Sequence, residues 1–153
     1  MLELIAEPAD TLSINASLGI LDTEIREGTL SGVSLVGNRL PNAPTFSGAL
    51  GIEWDAYASD SGTLTVGLDG HYASKQYYNL GNTDRIAQSS GGLINGRLTY
   101  SFADDRYSVS VWGKNLFDRF YHSYAVDLQV SLGYDYLHLG DPRTFGVSAE
   151  ARF

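Results

Sequence analysis

The chain has 153 residues, of which 43% are hydrophobic and 18% charged, and ten Lys and Arg against eighteen Asp and Glu give a net charge of −8. This length allows one domain or part of one. The acidic balance argues against nucleic-acid binding, which needs a basic surface. The absence of cysteine excludes disulfides, thiolate catalysis and Cys-ligated metal sites.

The sequence predicts no membrane helix, and its beginning does not resemble a signal peptide. No stretch approaches the roughly 18 consecutive apolar residues that a membrane helix needs. The first ten residues have no positive region and carry Glu3, Glu7 and Pro8. We therefore expect that the protein stays where it is made or that its true beginning is missing.

Alternation of apolar and polar residues dominates the chain and predicts β-strands. Between Leu12 and Ile20 every second residue is apolar, and the residues between them are Ser, Asn or Gly. The pattern recurs, so we predict a short opening strand at about residues 2–6 and six longer strands. The longer strands are predicted at residues 12–20, 46–54, 64–72, 94–102, 107–113 and 145–153.

The two predicted faces of these strands differ in charge. One face has no charged side chain, and its aromatic residues lie near the strand ends: Trp54, Phe102, Tyr107 and Phe153 at one end, Phe46, Tyr72 and Phe145 at the other. The opposite face carries Glu53, Asp69, His71, Arg97, Lys114, Glu150 and Arg152. An apolar band between two aromatic girdles, with a polar face behind it, is typical of transmembrane β-strands.

Short and long connections alternate between the strands. The short links are predicted at residues 7–10, 55–62 and 103–106, and the long loops at 22–44, 75–92 and 115–143. Outer-membrane barrels have this arrangement, with the short turns in the periplasm. The predicted fold class is therefore all-β, an antiparallel up-and-down transmembrane β-barrel segment of about seven strands, without an internal domain boundary.

Three segments resemble the C-terminal part of the β-barrel of TonB-dependent outer-membrane receptors. The first is residues 37–44 (GNRLPNAP) followed by Phe46 and Ser47. The second is residues 112–118 (WGKNLFD) with Phe120 and Tyr121, similar to a fairly specific NLFDxxY stretch of the family. The third is residues 140–147 (GDPRTFGV) with the final ARF, similar to the last strand of the family.

The resemblance implies a cell outer-membrane location in a Gram-negative bacterium and energy-coupled uptake of a ligand, most commonly a ferric siderophore. Family members are plugged barrels of 22 strands, so residues 1–153 would be the C-terminal part of the wall, with the plug domain absent. The implied partners are outer-membrane lipid, the barrel-assembly machinery and, through the missing plug, the TonB complex. The assembly signal would be carried by Phe145, Val147, Ala151 and Phe153.

Two of the predicted long loops are rich in Tyr and His and are candidates for ligand contact. Aromatic rings offer a large contact area at low entropic cost, so these side chains could stack on or hydrogen-bond a chelate. The alternative interpretation is an interfacial aromatic belt with loop packing. The residues are Tyr77, Tyr78, Tyr121, His122, Tyr124, Tyr134, Tyr136 and His138.

No other chemistry is indicated. The spacing of His122 and His138 from Asp127 and Asp135 matches no compact metal motif, so we expect no metal site and no cofactor. The sequence has no nucleophile elbow, HExxH, P-loop or dinucleotide fingerprint, so we expect no enzyme. Two alternatives stay open: a small, self-contained outer-membrane barrel with a structural or adhesion role, and a soluble β-sandwich that binds carbohydrate through its Tyr-rich loops.

Overall fold

The computed structural model describes residues 1–102 and 105–152. Within them the chain forms eleven strands, a 3₁₀ turn at Asp84–Ile86 and one short helix, α1 (Gln129–Leu132). The strands are β1 (Leu2–Ala9), β2 (Leu12–Ile20), β3 (Thr29–Leu30), β4 (Val33–Ser34), β5 (Phe46–Ser59), β6 (Gly62–Ala73), β7 (Gly91–Phe102), β8 (Tyr107–Lys114), β9 (His122–Val126), β10 (Tyr136–Leu139) and β11 (Thr144–Ala151). The described helices are all too short and too polar to cross a membrane.

Seven of these strands form one antiparallel sheet, which we call the wall. Its spatial order is β1-β2-β5-β6-β7-β8-β11, so each strand pairs with the next long strand along the chain. The remaining strands form two small hairpins, β3–β4 and β9–β10, inside two of the long loops. The predicted all-β, up-and-down partial barrel is confirmed.

The register of the wall keeps like residues together. Val111 lies opposite Leu98 on one side and Val147 on the other. On the reverse face Thr99 lies opposite Ser110, with their hydroxyl oxygens 2.9 Å apart. Because side chains alternate along a strand, a slip of one residue would exchange the two faces. The separation of apolar from polar side chains predicted from the sequence therefore extends across the pairing of the wall.

The strand ends differ from the prediction because of β-bulges. The first two short links are wrong in extent: β1 runs to Ala9 and β5 to Ser59, which leaves two-residue turns. In β5 the register shifts between Asp55, opposite Thr65, and Tyr57, opposite Leu64. A bulge inserts one unpaired residue, so Tyr57 returns to the apolar face that strict alternation denies it.

Three further points concern individual segments. β7 begins at Gly91, three residues before the predicted start, because Gly91 already pairs with Ala73. The bulge of β1 contains Pro8, which has no N–H for a ladder bond and is tolerated at such a site. The link predicted at 103–106 lies partly, and Phe153 wholly, outside the described residues.

The wall is a single layer without a core of its own. The buried apolar side chains, Leu35, Ala43, Ile86 and Ala125, all belong to the long loops. On the wall, by contrast, Leu50 is 48% and Val147 71% exposed. Because the long strands of the described part form one sheet and not two packed layers, the structure does not support the β-sandwich alternative.

Candidate functional site

Three long loops extend from one end of the wall, and we call them L1 (residues 21–45), L2 (residues 74–90) and L3 (residues 115–143). L1 docks on L2 through a pair of bonds between the Asn82 side chain and the Arg39 backbone. The Arg39 amide donates to Oδ1 of Asn82 at 2.7 Å, and Nδ2 of Asn82 donates to the Arg39 carbonyl at 2.9 Å. The Asn42 amide also donates to the Tyr77 carbonyl at 2.8 Å. The Asn82 side chain thus pairs with L1 as a neighbouring strand would.

L2 is joined to L3 by Arg85, which lies between two carboxylates. Its Nε donates to Asp135 at 2.7 Å, and its Nη2 contacts Asp127. The other Asp127 oxygen accepts a bond from the Thr83 hydroxyl at 3.1 Å. The hydrogen bond that Arg85 donates to Asp135, and then the charges of Asp127 and Asp135, raise the pKa of Arg85 above its ordinary value. Within the described residues no group of three or more His, Asp or Glu could hold a metal ion.

Tyr78 fills the space between L2 and L3. Its hydroxyl donates to the His122 carbonyl, and its ring meets the Tyr124 ring edge-on with centroids 6.4 Å apart. The His122 amide in turn donates to Oε1 of Gln88 at 2.7 Å. Partial burial raises the pKa of Tyr78. Three of the predicted site residues, Tyr78, His122 and Tyr124, are therefore brought together.

The base of L3 is fixed by Asn115, the asparagine of the NLFD segment. It is 4% exposed and adopts the left-handed conformation, with φ 48°. Its amide group donates to the carbonyls of Arg119 at 2.9 Å and Asp141 at 3.1 Å, and its oxygen accepts the Arg119 N–H at 2.8 Å. The Arg119 guanidinium donates to the carbonyls of Ser89 and Ser90 in L2. One side chain thus joins the two ends of L3, and the next links L3 to L2.

Tyr121 closes L3 further out. Its carbonyl accepts the Gly140 N–H at 2.9 Å, and its hydroxyl accepts the Asp141 N–H at 3.2 Å. A Cβ added to Gly140 would lie 1.9 Å from the Tyr121 ring. Glycine is therefore required there, and the Tyr121 hydroxyl is already engaged inside the loop.

The exposure and contacts of the remaining predicted site residues, and of Tyr124, differ from one residue to the next. Tyr124, Tyr134 and Tyr136 are each about half exposed, at 53%, 55% and 48%. Nδ1 of His138 lies 2.6 Å from the Ser123 hydroxyl. The Tyr77 ring lies 5.0 Å beneath the Lys75 ammonium.

Of the residues that tie the loops together, the sequence singled out Tyr78 but not Asn82 or Arg85. Arg85 is separated from Asp127 by 42 residues and from Asp135 by 50, and Asn82 from Arg39 by 43. A contact over such a distance leaves no periodic signal in one sequence. The NLFD segment was the exception, because its family resemblance drew attention to Asn115.

The polar face of the wall is concave and encloses a groove of about 750 Å³. Its negative side chains, Glu53 and Asp69, lie on β5 and β6, and its positive ones, Arg97 and Lys114, on β7 and β8. Asp69 accepts a bond from Nδ2 of Asn95 at 2.7 Å. The polar interior predicted from alternation is thus a shaped surface with its charges sorted across it.

The predicted assembly signal lies on the last strand of the wall. Phe145, Val147 and Ala151 all belong to β11 and share its apolar face, with Phe145 opposite Gly113 and Val147 opposite Val111. Phe153 lies outside the described residues. The assembly role of these residues stays a prediction.

Known proteins share this architecture. The family model described as TonB dependent receptor-like, beta-barrel, matches residues 4–116. Similar solved structures include the ferric yersiniabactin uptake receptor FyuA from Yersinia pestis, at 20% identity and a TM-score of 0.80, covering 99% of this chain and 22% of that one. The siderophore receptor PiuA from Acinetobacter baumannii matches at 23% identity and a TM-score of 0.75, covering 96% and 20%.

The ferric preacinetobactin receptor BauA from Acinetobacter baumannii matches at 26% identity and a TM-score of 0.71, covering 96% of this chain and 20% of that one. No curated protein sequence matches the chain significantly. The chain spans about a fifth of the length of the solved receptors. The family model and these neighbours describe transport receptors. With its meandering sheet, its uncharged face and its long loops at one end, the chain belongs to the TonB-dependent receptor family as part of the β-barrel domain.

Proposed function

We propose that the chain forms part of the wall and outer mouth of an outer-membrane receptor that imports a small ligand such as a ferric siderophore. The observation that carries the proposal is the register of the wall, which keeps one face apolar across seven strands and its reverse polar and concave. Such a sheet suits lipid on one side and water on the other.

The exposed apolar face needs a cover. Side chains such as Leu50 and Val147 lie open on a continuous surface, and large exposed apolar patches mark contact with membranes or partners. The unpaired outer edges of β1 and β11 in the described sheet also support this proposal. An unsatisfied backbone group in hydrocarbon costs several kcal/mol, so these edges pair with the rest of a wall of 22 strands.

The loops supply the ligand-facing surface in this proposal. Tyr124, Tyr134 and Tyr136 offer exposed aromatic area, whereas Tyr78 and Tyr121 hold the loops in position. The ligand class is supported by the structural neighbours, since PiuA is a siderophore receptor, FyuA a ferric yersiniabactin uptake receptor and BauA a ferric preacinetobactin receptor. Uptake further requires a plug and the TonB complex, which the remainder of the receptor would provide. The outer edge of β11, with Phe145 and Val147, would be recognised by the barrel-assembly machinery.

The two tryptophans allow a direct test of the orientation, because Trp54 lies on the apolar face and Trp112 on the polar one. In vesicles of brominated lipid, we expect the Trp112→Phe chain, which retains Trp54, to be strongly quenched. The Trp54→Phe chain, which retains Trp112, should instead be quenched by aqueous acrylamide. Equal quenching of both tryptophans by both agents would overturn the proposal.

The ligand class is tested separately in the receptor that contains this wall. We expect a Tyr124→Ala, Tyr136→Ala double variant to take up a ferric catecholate probe more slowly at unchanged surface abundance. A Val130→Ala, Leu132→Ala double variant is the matched control, because both side chains are exposed in L3 but offer no aromatic surface. Unchanged uptake in the double variant would contradict the assignment of these tyrosines.

A further inference from the structure

The first apolar residue of L3 returns to the apolar face of the wall. The Leu116 amide donates to the Ile94 carbonyl of β7 at 2.9 Å, so the ladder between β7 and β8 continues past Lys114. A Cβ added to Gly113 would lie 2.6 Å from a Leu116 methyl group and 2.8 Å from the Phe145 ring. Gly113 and Phe145 lie opposite each other on the apolar face. Leu116 therefore belongs to that face and not to the mouth.

Two exposed phenyl rings follow in the same segment. The Asp118 N–H donates to the Asn115 carbonyl at 2.8 Å and closes a turn over residues 115–118, which we call the NLFD turn. Phe117 is 77% exposed and Phe120 is 70% exposed. Because β8 is already paired with β7 and with β11, no further strand of the receptor can pair with it beside this turn. The two rings therefore need a cover other than a neighbouring strand.

The charged groups beside this surface are engaged within the protein. The Asp118 carboxylate accepts the Arg143 backbone N–H at 3.1 Å and lies 3.9 Å from the guanidinium of the same residue. That guanidinium lies 6.0 Å from the centroid of the Phe145 ring, and Arg119 donates to two carbonyls of L2. An arginine that lies over an apolar ring while a carboxylate balances its charge suits the boundary between hydrocarbon and lipid headgroups.

We propose that the NLFD turn and Phe120 contact lipid of the outer leaflet and so anchor the base of L3 in the membrane. The occupant is lipid, because Leu116 and Phe145 make this surface continuous with the apolar face of the wall. The inference rests on the proposed function, which places that face in lipid, and goes beyond it by assigning part of a mouth loop to the membrane. The bilayer then holds the base of L3, while the β9–β10 hairpin lies in water.

The fluorescence of a single introduced indole tests the anchor. In a chain that carries Trp54→Phe and Trp112→Phe, the substitution Phe117→Trp places one tryptophan in the NLFD turn. In vesicles of phospholipid with brominated acyl chains, we expect most of its emission to be lost, and aqueous acrylamide to quench it little. Val130→Trp in the same background is the matched control, because Val130 lies between β9 and β10 and is 100% exposed. Its indole should be quenched by acrylamide.

Hydrogen exchange gives a second measurement with the native tryptophans in place. In vesicles, Phe117→Ala should speed the exchange of the Leu116 and Asp118 amides about tenfold, because the turn loses apolar area that lipid covers. The Phe117 ring is mostly open in the protein itself, so lost packing within the chain would have a much smaller effect. Val130→Ala should leave both amides unchanged.

Two results would overturn the anchor. One is acrylamide quenching of the Phe117→Trp chain as strong as that of the Val130→Trp chain, and the other is unchanged exchange at Leu116 and Asp118 in Phe117→Ala. The native Trp54 separates this failure from that of the proposed function. If brominated lipid quenches Trp54 but not the indole introduced in the turn, the wall meets lipid and only the anchor is refuted. If it quenches neither, both proposals are refuted.

Discussion

Asn115 shows how one polar side chain fixes a loop. It is buried, and its side-chain amide bonds to backbone groups of Arg119 and Asp141. A buried polar group contributes little net free energy when bonded but leaves costly orphan groups when removed. The residue therefore matters more through what its loss would expose than through the bonds it makes.

We expect Asn115→Ala to destabilise the chain by about 1–3 kcal/mol, because it removes three part-buried hydrogen bonds to the backbone of Arg119 and Asp141. Urea unfolding in micelles, followed by circular dichroism, measures this. The control is Asn42→Ala, since Asn42 is also left-handed, with φ 54°, but its side chain makes no hydrogen bond in the described part of the chain. Equal losses in both variants would mean that backbone strain, and not the side-chain bonds, is responsible.

The raised pKa of Tyr78 makes the stability of the chain depend on pH. Because burial raises its pKa, the folded chain holds the hydroxyl proton more tightly than the unfolded chain. Its contribution to stability is complete below the ordinary value of about 10 and is lost as the pH rises through the higher folded pKa. In an ultraviolet titration of the ten tyrosines, we expect a late component that disappears in Tyr78→Phe. A late component that persists would contradict this assignment.

At the scale of the element, small residues and a bulge keep the apolar face of the wall strands continuous. Glycines on the apolar face make room for larger neighbours: Leu116 folds back over Gly113 and Gly96, whose added Cβ atoms would lie 2.6 Å and 3.4 Å from its methyl groups. The bulge of β5, in contrast, adds a large side chain to the apolar face, because it places Tyr57 there. Small departures from ideal alternation thus keep the apolar face continuous to its rim.

The face assignment predicts a sharp contrast between adjacent residues of β5. We expect Leu50→Arg to lower the free energy of unfolding in lipid vesicles by about 2–4 kcal/mol, because the charge would lie within hydrocarbon. Ala49→Arg, one residue away and opposite His71 on the polar face, should cost much less. Urea titration of the vesicle-bound chain measures both. Similar costs at the two positions would show that the faces do not meet different solvents.

At the scale of the whole molecule, the described buried apolar residues lie in the loops and not in the sheet. The best-buried residue, Ile86, lies in L2 with 0% exposure, while the sheet is open on both faces. L1, L2 and L3 form a continuous bonded cluster through Asn82, Arg85 and Tyr78. The arrangement of the three loops is therefore fixed by contacts between the loops as well as by the wall.

The ion pairs of Arg85 with Asp127 and Asp135 are expected to limit local opening of L3. We expect Arg85→Gln to raise the hydrogen-exchange rate of β9 and β10 about threefold, because L3 loses its ion pairs to L2 while the wall stays paired. Arg26→Gln is the matched control, since Arg26 is an exposed loop arginine without an ion pair among the described residues. A faster hydrogen exchange throughout the wall, or an unchanged exchange rate in L3, would contradict a local role of Arg85.

The sequence alone determined the class of fold, the faces of the strands and the order of short and long connections. It could do so because alternation is local: the side chain that follows Leu50 must point the opposite way in any strand. The NLFD segment and the last strand also indicated the family directly. Their local pattern survives in one sequence without any knowledge of their partners.

Tertiary structure alone decided the rest. Tyr78 and Tyr121 look like Tyr134 in the sequence, yet only the fold shows that their hydroxyls are engaged and that the Tyr134 ring is exposed. The reason is that Arg85 and Asp135, like Arg97 and Lys114, become neighbours only through strand pairing and loop closure. Distances of that kind depend on the register of the whole sheet, and no local periodicity encodes them.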